Sequence, residues 1–297
     1  MGERIIGVVV GTRGSGYIGC IIWSFLIFCA CSSGQCRKEH RDIEHFWNEY
    51  DFTDTLSDAK QSVTEQMLVD YLTLLSRISN EQACNNLKQL VARSVVNKEL
   101  NNWLLQRMEQ LLFEPDSPLR NDEYYMAILE ETLASGNIKG MMRVRSMHQL
   151  EMLRKNLPGE KAADFVFTSI DGRTERLWDV SAQYTLLMFY DPACEHCQKE
   201  IFELSASSLV NRLLSAKEQD IPRLSLVAIC MEGDMNAWKR CCATLPAAWL
   251  NGYDSKNELI EKEPYYLRSL PSLYLLGEDK MVLLKDVPIG KVLDYLN

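Results

Sequence analysis

The stretch Tyr184-Thr185-Leu186-Leu187-Met188-Phe189-Tyr190-Asp191-Pro192-Ala193-Cys194-Glu195-His196-Cys197-Gln198-Lys199-Glu200-Ile201 decides how this chain folds. Leu186 to Tyr190 is an apolar run of strand length that stops at Asp191-Pro192, and a helix-compatible segment continues through Phe202 and Leu204. Between them stands Cys194-Glu195-His196-Cys197, so the order is strand, turn, Cys-x-x-Cys, helix. The first turn of a helix has N–H groups without intrahelical partners and a partial positive charge, so a cysteine placed there has its thiolate favoured. The thiolate, not the thiol, attacks disulfides.

Outward from this stretch the pattern is of strands alternating with helices. Ala163 to Phe167 alternates with period two, Asp171-Gly172 is a hairpin turn, and Glu175 to Trp178 returns as a short strand. Leu224 to Cys230 is almost continuously apolar, as a strand buried on both faces should be, and Met235 to Cys242 reads as a short helix. Leu270 to Leu276 is a strand opening at Pro271, Gly277 to Lys280 turns it, Met281 to Lys285 pairs back, and Lys291 to Leu296 is a terminal helix. An α/β sheet covered by helices is expected.

This order resembles the thioredoxin fold over residues 158–297. The Ala163-Asp164-Phe165 opening, Leu177, Asp179 and the Phe189 to Cys197 run make the segment similar to extracytoplasmic, membrane-tethered thioredoxin-like oxidoreductases. The resemblance implies that Cys194 is the exposed nucleophile and Cys197 the resolving thiol, the two forming a redox disulfide. His196, if cationic, would stabilise the Cys194 thiolate, and Glu195 would oppose it. Pro271 is implied to have a cis peptide bond and to lie against the cysteine pair, where its backbone pairs with a substrate strand. No cofactor and no metal is implied, and the partners are protein disulfides or dithiols and a redox partner. The chain departs from the family pattern in having no Trp before Cys194 and Leu270 rather than Thr before Pro271.

Other readings of the Cys-x-x-Cys are weaker. A structural disulfide in so tight a loop removes little chain entropy. Zinc needs four ligands, which the motif does not supply without Cys241 and Cys242. A peroxidase pattern is excluded because its positions hold Asp191 and Leu187. The competing function class is a binding or scaffold module whose thioredoxin-like half does no chemistry.

Residues 41–157 read as an all-α domain. Ile43, Phe46, Trp47 and Tyr50 share a face of a first helix. A second is expected from a capping box at Ser62 to Glu65, with Met67, Tyr71, Leu74, Leu75 and Ile78 inward. A third begins at a capping box, Ser79 to Gln82, with Ala83, Leu87, Leu90 and Val91 inward; a fourth spans Asn97 to Phe113 and stops at Pro115 and Pro118. A fifth covers Asn121 to Ala134 before Gly136, and a sixth Met142 to Leu153. The loop Glu114 to Asn121, with two prolines and both charge signs, is a candidate contact site. This half resembles a helical domain of unknown function found ahead of thioredoxin-like domains in bacterial lipoproteins, which assigns it no activity.

The 297 residues, 46% hydrophobic and 25% charged, have room for both domains. A net charge of −9 with no basic patch excludes nucleic acid as a partner. Tyr17 to Ala30 is an uncharged, mostly apolar run of 14 residues, short for a membrane span and suited to a secretory signal. Its end, Phe28-Cys29-Ala30-Cys31-Ser32, resembles a bacterial lipoprotein signal. By that resemblance residues 1–31 hold the signal, Cys31 is lipidated, residues 32–40 are a tether, and Ser32 directs the protein to the outer membrane, facing the periplasm. An N-terminal helix kept in the inner membrane is the alternative. Of the ten cysteines this leaves Cys36, Cys84, Cys194, Cys197, Cys230, Cys241 and Cys242, an odd number. Cys230 pairs with Cys241 or Cys242, or all three are core residues.

Overall fold

The apolar run that leads into the Cys-x-x-Cys becomes a central strand of a seven-stranded sheet. The structure is a computed structural model that describes residues 43–297 apart from Asp234. The expected signal, the lipidation of Cys31 and the tether lie outside the described residues. Among the described residues no helix is long and apolar enough to cross a membrane.

The α/β half contains β1 (Val166–Ser169), β2 (Thr174–Arg176), β3 (Tyr184–Tyr190), β6 (Leu224–Cys230), β7 (Leu250–Tyr253), β8 (Ser272–Leu276) and β9 (Val282–Lys285) in the order β2-β1-β7-β6-β3-β8-β9. β3, β6 and β7 run parallel, and the hairpins at the two edges are antiparallel. A small separate ribbon pairs β4 (Lys217–Glu218) with β5 (Ile221–Pro222).

Alternation along β3 explains why its sequence is apolar at every position. Leu186, Met188 and Tyr190 join Leu226, Ala228 and Cys230 on one face, and Leu187 and Phe189 join Val227, Ile229 and Tyr274 on the other. The first face is covered by Cys197 and Leu204, Val210 and Leu213, Trp238 and Cys242, and Ile289 and Val292. These come from α6 (Glu195–Ala206), α7 (Ser208–Ser215), α8 (Met235–Cys242) and α10 (Ile289–Leu296), α9 being the short Glu258–Lys262. The second face is covered by Phe165, Phe167, Leu259 and Tyr265.

Strand β7 was not expected. Its Asn251-Gly252 centre breaks the apolar signal, yet a Cβ at Gly252 would stand 2.5 Å from the Phe167 ring and 2.6 Å from Ile229. Glycine is there because β7 lies under two large side chains.

The helical half is α1 (Asp58–Leu75), α2 (Asn80–Ser94), α3 (Lys98–Leu112), α4 (Asp122–Ala134) and α5 (Gly140–Leu153). Ser79 caps α2 as the sequence predicts, and Asn97 and Asn121, expected as helix starts, cap α3 and α4. Two expectations fail. Among the described residues the first helix is seen at 43–45 and gives way to i→i−3 bonds well before Tyr50, although Ile43 and Trp47 are buried as predicted. Helix α1 starts at Asp58, not Ser62, because Ser57 accepts from the Lys60 amide while the Ser62 hydroxyl bonds back to the Asp58 carbonyl inside the helix. Its buried face, Leu68, Tyr71, Leu72 and Leu75, is accordingly rotated, with Met67, Leu74 and Ile78 at its margin.

The halves have separate cores but residues Ile43–Asn297 form one unit. Tyr266, from the segment before β8, stacks on Phe113 at 6.1 Å and packs against the helical core.

Candidate active site

The turn that ends β3 is built by its own residues. Asp191 Oδ1 accepts from the Ala193 amide at 2.8 Å, and the Asp191 carbonyl accepts from the Cys194 amide at 3.2 Å. This closes the chain on itself and starts α6 with Cys194 as its N-cap. The Cys194 Sγ accepts from the Cys197 amide at 3.3 Å, the place an Asp or Ser oxygen takes at other helix starts. A thiolate at this atom would be held by the same amide and by the helix N-terminus.

Opposite stands the segment that opens β8. The Leu270–Pro271 bond is cis, and the Cys194 thiol donates to the Leu270 carbonyl across 3.7 Å. The carbonyl of residue 270 and the half-buried sulfur of Cys194 thus share one opening.

Cys197 sits one turn in, fully buried. Burial pushes its thiol up to about 12, with the neighbouring Cys194 and the Asp191 carboxylate adding to the rise and the Asp191 amide, which donates to Cys197 Sγ at 3.5 Å, opposing it. The pair is therefore asymmetric: one sulfur at the surface on a backbone amide, the other shut away and protonated at neutral pH. Both are free thiols here.

His196 is exposed, and its ring lies 3.7 Å from Glu200, one turn along α6. Burial holds the Glu200 carboxyl above its usual range, and His196 pulls it back. Glu195 is exposed on the same turn.

A second group of cysteines lies nearby and differs in kind. Cys230 ends β6 as the register partner of Tyr190, is fully buried, and donates to the Glu232 carbonyl at 3.1 Å. Burial raises it to about 12 and Cys242 to about 11, and raises Cys241 as well. All three are free thiols. Cys84 lies half-buried in the helical domain beside Glu123, away from both groups.

Solved structures share this architecture. A thioredoxin-like protein from Bacteroides caccae ATCC 43185 is 30% identical, with a TM-score of 0.83 over 88% of this chain and 92% of that one. This chain belongs to the thioredoxin-like proteins. As in that relative, the thioredoxin-like half is not the whole: residues 42–156 match a family described as a domain of unknown function, DUF5106. Shorter structures match 48% of this thioredoxin-like chain. One is the C-terminal domain of an uncharacterized protein from Bacteroides fragilis NCTC 9343, 35% identical over 97% of its length, with a TM-score of 0.45. Another is a domain of a "possible thiol-disulfide isomerase" from Cytophaga hutchinsonii ATCC 33406, 30% identical over 92% of its length, with a TM-score of 0.39. Such scores establish no likeness over the whole chain. No curated protein matches.

The polar groups that hold the Pro271 segment give no signal in the sequence. Arg268, Ser272 and Asp286 are isolated in sequence and flank apolar strands, and only the fold brings them together.

Proposed function

We propose that this chain is an extracytoplasmic thiol–disulfide oxidoreductase whose Cys194 and Cys197 cycle between dithiol and disulfide. The observation that carries the reading is the Cys194 sulfur itself: N-cap of α6, on the Cys197 amide, and against the Leu270 carbonyl. A substrate disulfide entering that opening meets the one sulfur of the pair that is not enclosed.

In the reducing direction the Cys194 thiolate attacks one sulfur of a protein disulfide. A Cys194–substrate bond forms, the substrate disulfide breaks, and the first substrate thiol leaves with a proton. Cys197 then gives up its own proton and attacks Cys194 Sγ, which releases the second substrate thiol and closes the Cys194–Cys197 disulfide. Two electrons pass from the protein to the substrate; a redox partner restores the dithiol, or with the opposite partner the cycle runs in reverse. The raised pKa of Cys197 keeps it protonated at neutral pH, so Cys194 is the sulfur that attacks first.

The Tyr17 to Ala30 run and Cys31 support the compartment in this reading, a lipid-anchored protein of the cell envelope on the outer membrane, facing the periplasm. Periplasmic disulfides and dithiols are the substrates in that reading.

Two experiments test it. A Cys197→Ser variant should accumulate mixed disulfides through Cys194, and the wild type should reduce insulin; a variant that captures nothing, with a wild type inert on insulin, would refute the exchange chemistry. Radiolabelled palmitate should attach to the wild type and not to Cys31→Ala; equal labelling, or none, removes the anchor.

A further inference from the structure

The segment that faces Cys194 is not held by the α/β domain alone. Leu270, whose carbonyl meets the sulfur, is flanked by Arg268 and Ser272, and both end on the same carboxylate. Arg268 Nη2 donates to Asp286 Oδ2 at 2.8 Å, and the Ser272 hydroxyl donates to Asp286 Oδ1 at 2.7 Å.

The rest of the Arg268 fork points into the helical domain. Nη1 donates to Asp122 Oδ1 at 2.9 Å and to the Phe113 carbonyl at 3.2 Å, and Nη2 donates to Asp122 Oδ2 at 3.1 Å. The guanidinium also lies over the Phe113 and Tyr266 rings, at 5.1 and 5.6 Å. From the proline-bounded loop before α4, Arg120 reaches Asp286 at 3.6 Å and donates to its carbonyl. The Arg268 and Asp286 side chains are only 5% and 6% exposed.

Arg268 and Arg120 pair with Asp122 and Asp286, the condition under which such charges are tolerated in a protein interior, and the half-buried Lys285 ammonium lies close enough to feel Asp122, Asp286 and Arg268. A planar fork gripping one carboxylate bidentately and sharing a second also fixes direction, which a point charge does not. Asp122 is itself fixed, as the first residue of α4 after the Asn121 cap. Other contacts between the halves end on neighbouring stretches: Lys155 Nζ and the Asn156 side chain donate to the carbonyls of Glu263 and Pro264, and Lys285 Nζ, next to Asp286, donates to the Leu153 and Lys155 carbonyls. Of these groups Arg268 is the one on the stretch that meets Cys194, with Arg120 and Lys285 steadying the Asp286 end behind it.

We infer that Asp122, Arg268 and Asp286 are positioning residues for the redox site. Through them the helical domain sets where Leu270–Ser272 stands against Cys194, so the binding of a protein disulfide there depends on a domain that contributes no atom to the exchange. The inference deepens the oxidoreductase reading and rests on it for its kinetic readout, but not for its structural one.

The test uses the full chain and the variants Asp122→Asn, Asp122→Glu and Lys155→Met. With insulin as substrate, Asp122→Asn should raise KM about tenfold while kcat stays within about threefold. Asp122→Glu should recover most of the loss, and Lys155→Met should behave as wild type. Hydrogen exchange at the Ser269, Leu270 and Ser272 amides should speed up about tenfold in Asp122→Asn and not in Lys155→Met. Unchanged exchange at those amides in folded Asp122→Asn, or an equal change in Lys155→Met, overturns the inference. So does an unchanged KM. If the wild type proves inert on insulin the oxidoreductase reading falls separately, and the amide exchange alone decides the clamp.

Discussion

Two groups of cysteines lie near the ends of adjacent strands in this protein, and only one has the geometry of the proposed redox site. Cys194 and Cys197 follow β3, and Cys230, with Cys241 and Cys242, follows β6, where Cys230 pairs in register with Tyr190. In the first group a loop closed by Asp191 places one sulfur on a backbone amide at the open end of a helix. In the second, Cys230 is sealed and burial raises every thiol. Reactivity here comes from backbone N–H groups and an open side, not from the number of thiols gathered together.

The widest separation between the groups is expected in catalysis. Cys194→Ser should lower thiol–disulfide exchange by at least about 10³-fold, and Cys230→Ala should leave it within about twofold, as measured by insulin reduction. Equal losses would erase the distinction. Within the reactive pair the contrast is next largest. A thiol at about 12 is ionised in about one molecule in 10⁴ at pH 8, so iodoacetamide should modify Cys194 at least about 10²-fold faster than Cys197 in the reduced protein, read by peptide mass spectrometry.

Stability against pH puts Cys197 on the side of the buried group. Up to about pH 9 folded and unfolded chains both hold the protons of Cys197 and Cys230, and above it only the folded chain does, until about pH 12. Stability should therefore fall as pH rises through that window, by about 1.4 kcal/mol per pH unit for each such thiol. Urea midpoints between pH 8 and 11 check this, and Cys230→Ala should flatten the slope. The smallest effect is the packing of Cys230: its truncation to alanine should cost about 1 kcal/mol at pH 7.

The same contrast shows what the sequence could tell. Leu186 to Tyr190 is apolar at every position and Leu224 to Cys230 at nearly every one because both faces are covered, and Cys194-Glu195-His196-Cys197 directly follows a turn signal, so strand, turn and helix start were legible from local pattern. The cap at Ser79 and the helix starts at Asn97 and Asn121 were legible for the same reason. Strand β7 was not, since Gly252 answers to Phe167 and Ile229, which are distant in sequence. The start of α1 was missed because Asp58 to Gln61 is polar and gives no period. Arg268, Asp122 and Asp286 were invisible as a set, each being a lone charge until the chain is folded.

The central claim is that Cys194 and Cys197 form the redox couple, and equilibration of the whole protein against a series of glutathione redox buffers tests it most directly. Quenched and digested samples should show one reversible two-electron transition confined to the Cys194–Cys197 peptide, with Cys230, Cys241 and Cys242 still thiols throughout. A pair that stays wholly reduced or wholly oxidised across the series, or a transition that appears instead on Cys230, would contradict it.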